Sequence, residues 1–142
     1  MARSSAATDR LTTVPLFSAL SKSELQQVDQ ATDELDVEAG REIVTQGRTG
    51  HEFFLILSGQ ATVKRDGDDV ATLGPDQYFG ELAILDRGPR SASVVADTDM
   101  KLLVLGQREF AGLLDSVSGL AAKILTVVAQ RLRESDARSA VD

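Results

Sequence analysis

Fifteen consecutive residues, Phe79 to Ser93 (FGELAILDRGPRSAS), hold the side chains of this 142-residue chain best suited to chemistry. Arg90 offers a planar guanidinium, which meets a phosphate with paired, charge-assisted hydrogen bonds. Glu81 can only accept hydrogen bonds and would repel a phosphate placed directly against it, so its natural partner is a nearby hydroxyl. Gly80 lets backbone approach a ligand closely. Leu82-Ala83-Ile84-Leu85 can form one helical turn, whose first amides lack partners within the turn and favour an anion. A phosphate beside a free hydroxyl satisfies all of these groups, which points to a nucleotide or a sugar phosphate. The plain alternative is a solvated Glu–Arg surface pair worth under about 1 kcal/mol. The glycine, the apolar turn, the Pro89-Arg90 step and the small residues after it favour the pocket.

The same run resembles the phosphate-binding cassette of cyclic-nucleotide-binding domains, as in catabolite activator proteins, protein kinase A regulatory subunits and cyclic-nucleotide-gated channels. The resemblance extends over roughly Val14 to Arg133, including the entry segment VPLFSALSKSEL. It implies that the backbone amides of Gly80 and of Leu82 to Ala83 lie near the cyclic phosphate. It likewise implies Glu81 on the ribose 2′-hydroxyl, Arg90 with Ser91 on the exocyclic phosphate oxygens, and Ala92 in the ligand shell. Phe79 and Ser93 are weaker candidates; Ser93 stands where the family often has Thr. Ser directly after the cassette arginine implies cAMP, with cGMP as the second candidate. Two departures stand out. Gly47-Arg48 replaces a frequent Gly-Asp and Gly50-His51 a frequent Gly-acid, in a loop expected to be structural. No aromatic residue follows Phe110 to cap the base, which leaves Arg131, then Arg133, as candidates.

The elements needed to position this cassette can be read on either side of it. Ser21-Lys22-Ser23-Glu24 has the form of a capping box and predicts a helix over roughly 22 to 31. Short segments at 35–37, 42–45, 53–57, 61–65 and 70–73, divided by turn signals, predict strands, with Asp66-Gly67 as a hairpin turn. Phe53 to Leu57 is apolar at every position, so it predicts a strand covered on both faces. Further strands are predicted at 93–96 and 101–105. From Gln107 the period becomes helical, Gly119 marks a break, and an amphipathic helix follows over about 119–135 with a wide apolar stripe. The fold class expected is α+β: an antiparallel β jelly-roll barrel flanked by N- and C-terminal helices, with a short cassette helix. The organisation expected is a flexible lead-in over 1–13, a single domain over 14–136 and a frayed tail over 137–142.

Composition removes several other functions. A net charge of −7, with fifteen scattered Lys and Arg, argues against a nucleic-acid partner, which needs a concentrated basic face. No run reaches the ~18 apolar residues of a membrane span, and the N-terminus has no apolar signal core, so a cytoplasmic location is expected. With no cysteine, thiol chemistry is excluded. The single histidine, His51, cannot supply the ligand set of a metal-dependent jelly-roll enzyme, nor serve a nucleophile elbow that the chain lacks. Neither a metal nor a cofactor is called for, and no catalytic step.

Three readings remain. One is a ligand-gated regulatory module that binds a 3′,5′-cyclic mononucleotide and signals to a separate effector, with self-association through the last helix as an added option. Another is part of a longer regulated protein, such as a transcription factor or channel. The third is an interaction module that kept the cassette's shape without binding. The second expects a helix-turn-helix after the long helix, where the given sequence ends at Asp142, and Glu81 with Arg90 argues against the third. The first is preferred, and in it phosphate draws the cassette inward and the last helix closes over the base about Gly119.

Overall fold

The structure, a computed structural model, describes residues 5–86 and 88–141, with the side chains of residues 5–7, 82 and 136–141 outside the description. It divides into two compact units. One unit is residues 30–111, and the other joins the segment up to residue 29 with that from 112 onward.

The first unit carries eight strands: β1 (Asp33–Val37), β2 (Glu42–Val44), β3 (Glu52–Ser58), β4 (Ala61–Arg65), β5 (Asp68–Leu73), β6 (Tyr78–Phe79), β7 (Ser93–Ala96) and β8 (Met100–Gly106). They form two antiparallel sheets, ordered β1-β8-β3-β6 and β2-β7-β4-β5. This is the two-sheet jelly roll. The expected barrel is therefore an open sandwich: side chains rather than a shared ladder join the sheets. Val37, Phe54, Ile56, Met100 and Leu102 of one sheet meet Val44, Ala61, Val94 and Ala96 of the other. Of the apolar run Phe53 to Leu57, the first four residues are buried as predicted, while Leu57 at its end is only half-buried. Asp66 and Gly67, at φ 54° and 87°, make the tight β4–β5 turn, since such a hairpin needs positive φ at both central residues. The short strand β6 has no counterpart in the sequence reading; two residues are too few to show a period.

In the other unit, the predicted lead-in contains a helix, α1 (Ser5–Leu11), whose last residue is fully buried. Leu11 is what anchors it, and residues 1–4 lie outside the described residues. A 3-10 turn at Pro15–Phe17 precedes α2 (Lys22–Gln30). The capping box forms as its spacing requires: the Ser21 amide donates to Glu24 Oε1 at 2.8 Å and the Glu24 amide to Ser21 Oγ at 3.2 Å. Helix α3 (Gln107–Ser116) begins in the sandwich unit and ends in this one, and Gly119, at φ 82°, starts α4 (Leu120–Val141). Helix α4 thus continues past the predicted end near 135 through most of the predicted frayed tail; Asp142 lies outside the described residues. Leu120, Ile124 and Val127 are buried, while Leu125 and Leu132 are 67% and 61% exposed. Lys123 Nζ donates to Glu24 Oε1 at 2.6 Å, and this bond, ahead of the Ser21 amide's, holds the Glu24 carboxyl below the usual glutamate value. Among the described residues no single helix is long and apolar enough to cross a membrane.

Candidate functional site

The loop before β3 and the end of the cassette are laced together through backbone. The Gly47 amide donates to Arg90 O and the Arg90 amide to Arg48 O, both at 2.8 Å, the Gly50 amide reaches Gly88 O at 3.2 Å, and Thr49 bridges Pro89. Replacing the family's acidic residue with Arg48 leaves this ladder unaffected, because main-chain groups make it. The loop is thus held to the end of the cassette by main-chain bonds.

That ladder fixes where Arg90 starts, and its side chain then follows a narrow course. Nη2 donates to the Glu52 carbonyl at 3.0 Å, and the guanidinium carbon lies 5.9 Å from the centroid of the Phe54 ring, within cation–π range. Phe54 in turn stacks on Phe79, with ring centroids 4.8 Å apart. Partial burial lowers the Arg90 pKa from its ordinary value, and the nearby Glu52 carboxylate opposes that shift. Even so a guanidinium remains charged at any physiological pH. The result is a desolvated, tethered cation, suited to an anion that can displace water from it.

Gly80 follows β6 at φ 79°, a conformation that glycine adopts without penalty. A Cβ there would lie 2.5 Å from Arg90 Nη1 and 2.6 Å from Glu52 O, so the guanidinium passes directly over Gly80. Next come Glu81–Ile84, a 3-10 helix packed against β3, with the Glu81 side chain only 7% exposed. The predicted turn exists in this tighter form, closed by the Ala83 amide donating to Gly80 O at 3.0 Å. A phosphate that took the Ala83 amide would have to share or replace that bond. Leu82 contributes its backbone to the same 3-10 turn.

The small residues after Arg90 are divided between surface and scaffold. Ser91 is exposed and its carbonyl accepts from Arg65 Nε at 3.3 Å. Ala92 is half-buried, and Ser93 Oγ accepts from the Gln46 amide at 2.9 Å, tying β7 to the loop after β2. Gln46 also clamps the hairpin tip, exchanging 2.9 Å bonds with Asp66 through both ends of its amide. Arg131 and Arg133 are exposed on α4, in the unit that does not hold the cassette. His51 is exposed just before β3, with its carbonyl accepting from the Gln107 amide at 2.8 Å.

The structure thus brings together Phe79, Gly80, Glu81, Ala83 and Arg90 in one unit. To these it adds Gly50, the Glu52 carbonyl and Phe54, which the sequence reading did not single out. Strand alternation could have indicated Phe54, which shares one face of β3 with Ile56, but not the Glu52 carbonyl, since a main-chain group does not follow side-chain alternation. The sequence marked Gly50 only as part of the Gly50-His51 step, and nothing in it brought that glycine to Arg90.

Comparison with known proteins agrees with this geometry. The profile of the cyclic nucleotide-binding domain matches residues 34–117, more than half of the chain. A cAMP-dependent protein kinase regulatory subunit of Hypocrea atroviridis is 36% identical over 107 residues, which are 75% of this chain and 23% of that protein. The chain therefore spans about a quarter of that relative's length. The N-terminal domain of a transcriptional regulator from Streptomyces coelicolor A3(2) superposes with a TM-score of 0.86 at 30% identity, covering 92% of this chain and 94% of that one. Catabolite activator protein of Thermus thermophilus superposes with a TM-score of 0.70 at 32% identity, over 89% of this chain and 62% of that one. By profile, sequence and fold, this chain belongs to the cyclic nucleotide-binding domain family.

Proposed function

We propose that the chain is the receptor module for a 3′,5′-cyclic mononucleotide, cAMP ahead of cGMP, and that ligand occupancy is passed to a separate effector protein. The observation that carries this reading is the Arg90 guanidinium held over Gly80, one residue from the buried Glu81. A cyclic phosphate can take paired bonds from Arg90 while its ribose hydroxyl donates to Glu81, the combination that a singly charged phosphate next to a free hydroxyl requires. Gly80, Leu82 and Ala83 backbone, Ser91 and Ala92 complete the ligand shell of this reading, with Phe79 and Ser93 behind them. Arg131, then Arg133, serve as its base contacts. No metal, cofactor or catalytic step belongs to it, nor a nucleic-acid or membrane partner, and its setting is the cytoplasm. Leu125 and Leu132, exposed seven residues apart on α4, support self-association of two copies through that helix.

Such a module signals only by the difference in affinity of its ligand for two states, typically 1–3 kcal/mol in coupled systems, or roughly 5- to 150-fold. Calorimetry with cAMP and cGMP tests the reading. The expected outcome is saturable binding, weakened at least about thirtyfold by Arg90→Ala, the low end of the cost of truncating one partner of a buried charge pair. Glu81→Ala should cost less. No heat with either nucleotide at millimolar concentration would leave the interaction-module reading in its place.

A further inference from the structure

Gly50 is buried, yet its φ lies outside the left-handed region, so its backbone would accept any residue. The groups that stand nearest in a side chain's way belong to Arg90. A Cβ built at Gly50 meets Arg90 Nε, Cζ and Cδ as its three nearest neighbours, the latter two at 2.6 and 2.9 Å. Gly80 bounds the other edge of the same guanidinium, 2.5 Å from Nη1 to its would-be Cβ. At the far end Nη2 is tied to the Glu52 carbonyl.

We infer that Gly50 is a positioning residue for ligand binding: the missing side chain opens a slot between Gly50 and Gly80 that sets the Arg90 guanidinium in its phosphate-binding place before ligand arrives. This rests on the receptor reading above. A guanidinium tethered by Nη2 and confined on two edges has little rotamer freedom left to lose on binding, and preorganisation of this kind raises affinity by cutting the ordering cost. A methyl at position 50 pushes on the Nε edge. The group that yields is the end of a flexible side chain rather than backbone, so the substitution should move Arg90 and leave the fold in place.

The test is a double-mutant cycle, with cAMP titrated into wild type, Gly50→Ala, Arg90→Ala and the double variant, each checked by urea unfolding. Gly50→Ala should weaken binding roughly tenfold when Arg90 is present, within the range over which contacting residues couple. In the Arg90→Ala background the same change should cost under about twofold, because the group it displaces is gone. Equal losses in both backgrounds, or no loss in the first, would overturn the inference, since a residue acting through loop structure would not depend on Arg90. The apo protein gives a second readout: exchange of the Arg90 Nε proton by NMR, slow in wild type and faster in Gly50→Ala. Unchanged exchange would also overturn it. Should wild type bind neither cyclic nucleotide, the receptor reading fails, while the exchange measurement still decides whether the slot holds Arg90.

Discussion

Gly80→Ala separates backbone strain from simple crowding, because the two glycines that flank Arg90 differ in what they touch. At Gly80 the added methyl first forces an L-residue to φ 79°, at a cost of about 1–2 kcal/mol. It also lands 2.6 Å from the Glu52 carbonyl, which belongs to β3 and is held in register by β8. Ordinary contact would need this backbone group to retreat by most of an ångström, and overpacking of a fixed site costs about 1–3 kcal/mol. Local opening of the cassette limits the total, since β6 pairs with β3 through only Phe54–Phe79 and Leu55–Tyr78. The expected loss is therefore about 2–4 kcal/mol. Gly50→Ala, at a φ outside the left-handed region and with the flexible Arg90 side chain as its nearest neighbour, should lose under about 1 kcal/mol. Urea unfolding at equal m-value measures both, and Tyr78, the single tyrosine of a chain without tryptophan, reports from β6 itself. With a mid-range urea m-value of about 2 kcal/mol/M, Gly80→Ala should drop the midpoint by about 1–2 M. A Gly80→Ala protein within about 0.5 kcal/mol of wild type, or indistinguishable from Gly50→Ala, would refute the reasoning, because neither the positive φ nor the Glu52 carbonyl would then constrain the site.

Further outcomes concern the helical unit. Ser21→Ala removes one half of the capping box and should cost about 1 kcal/mol in urea unfolding, with the cyclic-nucleotide affinity unchanged. The Glu24 pKa is lowered in the folded protein, first by Lys123 and then by Ser21, so its contribution is present above the unfolded glutamate value of about 4.3 and lost as pH falls through the lower folded value. Lys123→Met should accordingly flatten the stability–pH curve in that acid window and leave it parallel to wild type near neutrality; an unchanged slope would remove the pair from the account. If α4 joins two copies, Leu125→Glu with Leu132→Glu should convert a sedimenting dimer into a folded monomer whose melting temperature no longer depends on protein concentration. A wild type that sediments as a monomer at high micromolar concentration would rule that contact out.

Much of this molecule was decided by local chemistry. The capping box at Ser21 and Glu24, the Asp66-Gly67 turn and the fully buried Phe53–Ile56 run each follow from preferences that act over a few residues, and each forms as its sequence predicts. The family was legible for the same reason: Gly80, Glu81 and Arg90, the residues that carry the resemblance, lie within one short segment.

Tertiary structure decided what surrounds those residues. Which strands share a sheet, and that the two sheets stay open rather than close into a barrel, depend on pairings across many tens of residues that no local period encodes. The helix at Ser5–Leu11 is anchored by the burial of Leu11, which short-range preference does not reveal. The same holds at the site. Gly50 and Glu52 lie some forty positions before Arg90, and only the ladder between residues 47–50 and 88–90 sets them beside its guanidinium. Sequence alone specified the guanidinium of Arg90; its course past the Glu52 carbonyl and Gly50 was decided by a distant loop, because the backbone's path through space determines which groups can reach it.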